Sequence, residues 1–152
     1  MQTKLDVKVY AQNPNCLLEP ATAGAACFDI RALEVAYHGH EPTVTVRTGL
    51  HFEIPEGHAL LIFSRSGLAF KYGMQLVNCV AVIDSDYRGE VLLKFIQNFP
   101  TMAERPRLQP GDRVAQGMIL PIPALAFIMV PELSDLSTTD RGEGGIGSTG
   151  VE

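Results

Sequence analysis

Apolar and polar residues alternate in short stretches along almost the whole chain, and Gly and Pro turns separate these stretches. Alternation with a period of two is typical of strands that bury one face. Strands are predicted at residues 5–9, 27–32, 42–46, 51–54, 59–63, 74–82, 91–96, 113–119 and 124–130. A helix is predicted only at residues 64–71, and it is short. The pattern therefore predicts an all-β fold, a jelly-roll-like barrel or sandwich with one short helix.

The end of the chain differs in kind, because the apolar alternation stops at residue 134 and glycine becomes frequent. We therefore predict a β domain at residues 1–133 and a flexible Gly-rich arm at residues 134–152. In this arm Arg141 could bind phosphate bidentately, and Ser148 and Thr149 could donate from their hydroxyls. A P-loop is excluded, since the Gly-Lys-Ser/Thr ending and its helix are absent. The alternative is a terminus that is disordered in the free protein. The phosphate-binding arm and the disordered terminus are compatible if the arm becomes ordered only over a bound ligand.

Composition fits one soluble domain, because the 152 residues are 46% hydrophobic and 19% charged. The first residues lack the apolar run of a secretory signal. Pro121 and Pro123 interrupt the most apolar segment, residues 118–130, which is also shorter than the roughly 20 residues of a membrane span. We expect a cytoplasmic protein with no membrane partner.

The formal net charge of −5 argues against a nucleic-acid partner, since phosphate backbones require a basic surface. The three cysteines are odd in number and lack a Cys-x-x-Cys pair, so buried thiols are expected rather than disulfides or a zinc site. The four histidines also lack metal-ligand spacing and are expected on the surface or in loops.

Candidate chemistry is concentrated in residues 81–93, which are predicted to form a β-hairpin. Its tip carries two carboxylates, Asp84 and Asp86, together with the ring of Tyr87 and the cation of Arg88. A turn needs a turn-forming Asp and Gly, but it does not need this whole set. A solvated turn would be the better interpretation if the stretch stood alone.

A second candidate site lies where the predicted helix begins. Arg65 and Ser66 place a guanidinium and a hydroxyl at a helix N-terminus, which favours anions. A simple helix cap is an equally good interpretation of these two residues taken alone. Gln116 is a weaker candidate, since a glutamine on a strand is usually just a polar side chain.

Five segments of the chain together resemble the motifs of a known family. Residues 24–32, 65–69, 78–89, 111–116 and 141–150 are similar, in this order, to the five motifs of the trimeric deoxyuridine triphosphate nucleotidohydrolases, the dUTPases. Each motif is short, but five in order over nearly the full length are specific. The resemblance implies hydrolysis of dUTP to dUMP and pyrophosphate by attack of water on the α-phosphorus.

The resemblance also implies roles for residues of the third motif. Asp84 would hold and deprotonate the attacking water. Tyr87 would lie against the sugar where a 2′-hydroxyl would sit, and so would exclude ribonucleotides. Asn78 and the neighbouring backbone, including Val82, would bind the edge of uracil and exclude thymine and cytosine.

The remaining motifs would bind the triphosphate. Phosphate contacts are implied for Arg65, Ser66 and Gln116 at the α and β positions, and for Arg141, Ser148 and Thr149 at the γ end. Gly67 would also bind the substrate. Ile146 and Gly147 would belong to the closing arm. Mg²⁺ would bridge phosphate oxygens and keep mostly water ligands. The family further implies a homotrimer whose sites are shared between subunits.

The chain departs from the family's pattern at three positions. Ile146 stands where the fifth motif normally carries a Phe that stacks on the base, while Cys27 and Ala81 stand where Gly is common. Neither Cys27 nor Ala81 removes a reacting group, whereas Ile146 is expected to lose the stacking of an aromatic ring on the base.

Two other functions are alternatives to dUTP hydrolysis. The dCTP deaminases share this fold, but Lys94 aligns with their catalytic Glu and cannot act as that base. A nucleotide-binding protein without turnover is disfavoured by Asp84 and by the nearly complete fifth motif.

Overall fold

The computed structural model describes residues 4–16, 18–39, 41–97 and 107–146. The strands in these ranges are β1 (Lys8–Ala11), β2 (Phe28–Arg31), β3 (Glu34–Tyr37), β4 (Thr43–Arg47), β5 (Leu50–Glu53), β6 (His58–Ser64), β7 (Met74–Leu76), β8 (Val80–Ile83), β9 (Leu92–Gln97) and β10 (Arg113–Pro121). One α-helix, α1 (Ser66–Tyr72), and two 3₁₀ turns, Pro14–Cys16 and Leu133–Asp135, complete the described elements. The prediction of an all-β fold with one short helix is confirmed.

The strands form two four-stranded sheets, ordered β2-β10-β6-β8 and β3-β4-β9-β7, and a two-stranded sheet, β1-β5. Their pairings are antiparallel. Each larger sheet turns one apolar face to a common core, as in a jelly-roll-like sandwich. In β4, for example, Val44 and Val46 are fully buried, whereas the alternating residues Thr43 and Thr45 are half-buried.

Helix α1 is a short element between β6 and β7. It follows Arg65, which is extended, and it ends at Gly73, whose φ of 55° is in the left-handed region that favours glycine. Leu68 is its buried residue, which anchors the helix on the core. The junction of β6 and α1 therefore presents Arg65 and Ser66 at one end of the sheet.

The predicted hairpin at residues 81–93 is wrong. Strand β8 pairs with β6 in one sheet, whereas β9 pairs with β4 and β7 in the other. The residues between them form a link that crosses from sheet to sheet. The pattern could not reveal this, because alternation is the same whether two strands pair with each other or with different partners.

Three further predictions about strands need correction. The predicted strand 74–82 is two strands, β7 and β8, separated at residues 77–79, where Cys79 has a φ of 61°. Strand β3 was not predicted, and β1 begins at residue 8 rather than residue 5. Residues 124–130 form no strand, because no other described strand pairs with them.

The expectation of buried thiols is confirmed only for Cys16. Cys27 is half-buried and Cys79 is exposed, and none of the three forms a disulfide. Burial raises the pKa of the Cys16 thiol, because the charged thiolate is poorly solvated there. Among the described residues there is no helix with the length and apolar character needed to cross a membrane.

Candidate active site

The first part of the site is a cluster of charged side chains at one end of the sheet β2-β10-β6-β8. Asp29 on β2 binds two arginines: its Oδ1 lies 2.9 Å from Nε of Arg65, and its Oδ2 lies 3.1 Å from Nη1 of Arg113. Arg65 also donates from Nη1 to the backbone oxygen of Arg113 at 2.9 Å. Two contacts therefore fix the guanidinium of Arg65, and the single carboxylate leaves the cluster with excess positive charge.

Strand order explains why these residues meet. In the sheet, β10 lies between β2 and β6, and Gln116 is opposite Asp29 on one side and Phe63 on the other. The side-chain nitrogen of Gln116 donates to the backbone oxygen of Ser64 at 3.2 Å, just before Arg65. Segments far apart in sequence thus converge at one sheet end.

A cleft of about 290 Å³ opens over this cluster. The structure brings together four of the predicted substrate-binding residues in its wall, namely Arg65, Ser66, Gly67 and Gln116. Asp29 and Cys27 line the same cleft. A depression with backbone donors, a hydroxyl, an amide and a fixed guanidinium is suited to an anion.

The second part of the site is the link between β8 and β9. Asp84 follows β8 directly, and its backbone oxygen accepts a hydrogen bond from the N–H of Tyr87 at 3.2 Å, which closes a turn. Asp84, Ser85, Asp86 and Arg88 line an open cleft of about 720 Å³. The acids of the predicted hairpin tip are therefore accessible, although the tip belongs to a crossing link.

The cation of the link, Arg88, is bound within the link itself. Arg88 donates from Nη1 to the backbone oxygens of Ser85 at 2.6 Å and Tyr87 at 3.0 Å. Its own backbone oxygen lies 2.9 Å from Nδ1 of His51 on β5. Arg88 therefore shapes the turn that carries Asp84.

The two parts of the site lie at opposite ends of β6. Register pairs Leu60 with Ile83 at one end and Phe63 with Val80 at the other. Asp84 is therefore beside residue 59, six positions from Arg65, which corresponds to about 20 Å along a strand. Within one chain these two residues cannot touch the same phosphorus.

The predicted base contacts are spread along the same edge strand. Asn78 comes before β8, at the end that carries Arg65, and the side chain of Val82 is exposed on the outer side of the strand. Tyr87 is also partly exposed. Val82 and Tyr87 thus form an exposed apolar surface between the Arg65 cluster and Asp84.

The predicted arm residues that the structure describes lie apart from the cluster. Arg141 donates from Nε to the backbone oxygen of Gly144 at 2.8 Å, and the N–H of Gly144 donates to the oxygen of Arg141 at 3.0 Å. Ile146 is fully exposed. Predictions for Gly147, Ser148 and Thr149 lie outside the described residues.

A set of anchoring contacts was missed at the level of sequence. Glu90 accepts hydrogen bonds from the N–H of Gly49 at 2.8 Å and from Nε of Arg47 at 3.1 Å. Glu90 and then Glu34 raise the pKa of Arg47 by hydrogen bonding. Nothing in the local pattern signals these contacts, because Arg47 and Glu90 are 43 residues apart.

No metal cage is found in the described part of the chain, where no three His, Cys, Asp or Glu side chains are grouped closely enough to hold an ion. A metal that accompanies a triphosphate needs few protein ligands, because phosphate and water oxygens can complete its coordination. The cleft over Arg65 is compatible with such an ion.

This fold is all-β, with a cleft suited to an anion at one end of β6 and an exposed acid at the other. The chain matches the family model described as dUTPase over residues 14–150. It is 39% identical over 148 residues to the deoxyuridine 5'-triphosphate nucleotidohydrolase of Nautilia profundicola, with 96% of this chain and 99% of that protein covered. The chain belongs to the dUTPase family.

Solved structures agree with this fold. The dUTPase of Staphylococcus bacteriophage 80alpha with dUPNHPP has a TM-score of 0.79 and 25% identity, with 97% of this chain and all of that chain covered. A mutant dUTPase from phage phi11 of S. aureus has a TM-score of 0.72 and 21% identity, with 86% of this chain and 99% of that chain covered. That phage enzyme is described with a structural Mg(II) ion.

Proposed function

We propose that this chain performs the reaction for which its relatives are named. It hydrolyses dUTP to dUMP and pyrophosphate, as expected of a dUTPase that matches its relatives over nearly their full length. Water attacks the α-phosphorus, the bond to the bridging oxygen of the β-phosphate breaks, and pyrophosphate leaves. This reaction limits uracil incorporation into DNA and supplies dUMP for dTMP synthesis.

The fixed arginine of the cleft is the observation that carries the proposed phosphate site. Arg65 uses Nε for Asp29 and Nη1 for the backbone of Arg113. Among the described residues its Nη2 has no such partner, so this nitrogen can donate to a phosphate oxygen. Ser66, the backbone of Gly67 and the amide of Gln116 add donors in the same wall. A guanidinium already held in place loses little freedom on binding.

Asp84 is the proposed general base that takes the proton of the attacking water. Because it lies about 20 Å from Arg65 along β6, the Asp84 that serves one phosphate cleft has to come from another copy of the chain. This separation supports a homotrimer with shared sites. The arm, residues 134–152, is the proposed lid, in which Arg141, Ser148 and Thr149 would bind the γ end of the triphosphate.

The open surface of β8 and its link is the proposed nucleoside site. Tyr87 would cover the deoxyribose, and Asn78, Val82 and the neighbouring backbone would bind uracil. An extra hydroxyl on the sugar would clash with the ring of Tyr87. A cytosine amine would leave buried polar groups unpaired, which is the costlier kind of mismatch.

Mg²⁺ is the proposed cofactor. Substrate phosphates and water would supply most of its ligands, in keeping with the small number of oxygen donors in the cleft. When bound, the ion would neutralise the triphosphate and polarise its phosphoryl oxygens. The proposed location is the cytoplasm, where the free thiols would remain reduced.

Release of pyrophosphate from dUTP with Mg²⁺ tests the proposal, with dTTP, dCTP and UTP measured under the same conditions. We expect rapid release from dUTP alone. The Asp84→Asn variant keeps the size of the side chain but removes its basicity, so it should lose most of the turnover while still binding a non-hydrolysable dUTP analogue. Turnover at the parent rate by Asp84→Asn would contradict the assignment of the base. Binding of dUTP without turnover by the parent protein would support the non-catalytic alternative.

A further inference from the structure

The ring of Tyr87 lies folded back against the backbone of Gly89. A Cβ atom built on Gly89 would lie 2.3 Å from the phenolic oxygen, 2.5 Å from Cζ and 2.9 Å from Cε2 of Tyr87. All three distances are below 3.0 Å, a separation that real Cβ atoms essentially never show. Any side chain at residue 89 would therefore displace the ring.

The requirement at Gly89 is one of space and not of backbone conformation. Gly89 is not among the described glycines with positive φ, such as Gly49, Gly57 and Gly73. Alanine could therefore adopt the backbone conformation at residue 89 without the usual left-handed strain. What alanine could not do is leave the ring of Tyr87 where it is.

The hydroxyl of Tyr87 is held by a backbone group that is itself anchored. It donates to the backbone oxygen of Glu90 at 3.1 Å. The carboxylate of Glu90, only 17% exposed, binds the N–H of Gly49 and the guanidinium of Arg47. The next residue, Val91, is bound through its backbone oxygen by the hydroxyl of Thr48 at 2.7 Å.

These contacts tie the end of the link to the connection between β4 and β5, in the body of the sandwich. The ring of Tyr87 thus has a fixed support on two sides: the bare backbone of Gly89 below it and the anchored oxygen of Glu90 at its tip. A ring with two such supports keeps one position when a sugar arrives.

We infer that Gly89 and Glu90 are positioning residues for Tyr87, and that together they set the discrimination between deoxyribose and ribose. The inference rests on the proposed function, in which Tyr87 covers the sugar. Gly89 gives the ring room to lie close to the backbone. Glu90 holds the carbonyl that fixes the height of the ring above the link.

The first experiment compares kcat/KM for dUTP and for UTP in the parent protein and in Gly89→Ala. The ring has to move by about 1 Å, from a 2.3 Å contact to at least 3.4 Å. Misplacement by about 1 Å can cost up to roughly 100-fold in rate, so we expect the dUTP to UTP ratio to fall by about tenfold or more. The loss for dUTP should appear mainly in KM, since Asp84 is not touched.

A double-mutant cycle separates positioning from a general structural effect. Gly89→Ala is introduced again in a Tyr87→Ala background, where there is no ring to displace. The inference predicts that Gly89→Ala then leaves the dUTP to UTP ratio unchanged. A further fall of the same size in that background would overturn it.

A matched pair tests Glu90. Glu90→Gln and Glu34→Gln each remove one carboxylate charge from Arg47, but only Glu90 also reaches Gly49 and precedes Val91 in the link. We expect Glu90→Gln to lower the ratio of kcat/KM for dUTP to kcat/KM for UTP several-fold. Glu34→Gln should leave this ratio at the parent value. Equal ratios for both variants and the parent would overturn the role of Glu90, whatever their melting temperatures.

The outcomes separate this inference from the proposed function. A parent protein that does not hydrolyse dUTP would overturn both. A parent that hydrolyses dUTP and rejects UTP, together with a folded Gly89→Ala variant of unchanged ratio, would overturn only the inference. If Gly89→Ala does not fold, the pair Glu90→Gln and Glu34→Gln decides the question.

Discussion

Asp29 shows how a single residue can prepare a site without touching the reacting atoms. Its side chain is only 16% exposed, and its two oxygens each bind a different guanidinium. Charge-assisted contacts of this kind are stronger than neutral hydrogen bonds and fix geometry as well. Because two cations share one carboxylate, the cluster retains positive charge that a phosphate can neutralise.

Ile146 is the residue at which this chain departs most clearly from its family. Its side chain is fully exposed, so its replacement changes no packing in the described fold. We expect Ile146→Phe to lower KM for dUTP or to raise kcat, because a ring stacked on uracil contributes about 1 kcal/mol, roughly a fivefold effect. Steady-state kinetics with dUTP and Mg²⁺ would measure this.

Ile146→Leu is the matched control, since it changes shape but adds no ring. It should leave both kinetic constants near the parent values. If Ile146→Phe also leaves both unchanged, the aliphatic side chain already closes the site as well as an aromatic one.

Residue-level prediction succeeded where a local pattern carried the information. Alternation at residues 27–32 predicts a strand there, and in β2 Ile30 is fully buried whereas Asp29 beside it is only partly buried. It could not name Arg65 and Arg113 as the partners of Asp29, because strand order decides which side chains meet. Cys79 was expected to be buried by residue type, but a turn at residues 77–79 exposes it.

At the scale of elements, strands were predictable and their pairing was not. Most strands were found within a few residues of their observed bounds, because each has a period-two pattern. For the link between β8 and β9 the sequence predicts a hairpin, since neighbouring strands usually pair and the residues between them favour a turn. The anchoring of this link by Glu90 depends on a contact across 43 residues.

The segment at residues 122–130 has a strand-like apolar sequence but no pairing partner among the described strands. It leaves β10 with the N–H of Ile122 bound to the oxygen of Gly57 at 2.7 Å. Beyond this point Phe127 is 89% exposed and Met129 is 91% exposed. A surface so apolar favours association.

We therefore expect Phe127→Ser to weaken the proposed homotrimer while the fold of each chain remains intact. Burial of a Phe side chain contributes about 2–3 kcal/mol, so the concentration needed for assembly should rise at least roughly tenfold. Sedimentation velocity over a dilution series would measure this, with circular dichroism as the test of folding.

Phe70→Ser is the control for this experiment, because Phe70 is 92% exposed on α1 and lies outside residues 122–130. It should assemble like the parent protein. Unchanged assembly of Phe127→Ser would show that residues 122–130 are not covered by another copy.

At the scale of the whole molecule, the separation of the two parts of the site matters most. The cleft of Arg65 and the acid Asp84 lie at opposite ends of the seven-residue strand β6. A rigid sheet cannot bring its own two ends together. In a cyclic assembly, however, one end of a subunit can meet the other end of its neighbour at each interface, which is the head-to-tail contact that closes a ring.

Mixed assemblies test this arrangement directly. Asp84→Asn and Arg65→Ala should each abolish dUTP turnover when assembled alone. In randomly mixed assemblies, a shared site is intact when its Asp84 comes from an Arg65→Ala chain and its Arg65 comes from an Asp84→Asn chain. With equal amounts of the two chains, about one quarter of the sites of a closed ring are then intact.

Turnover of dUTP near a quarter of the parent value in co-expressed, doubly tagged assemblies would therefore identify a site built between chains. The control mixes Arg65→Ala with Gln116→Ala, whose residues line one cleft of a single chain. No site in that mixture can regain both residues, so its turnover should not exceed the average of Arg65→Ala and Gln116→Ala assembled alone. If the mixture of Asp84→Asn and Arg65→Ala shows no more activity than the average of these two variants assembled alone, each site takes its acid and its phosphate-binding arginine from the same chain.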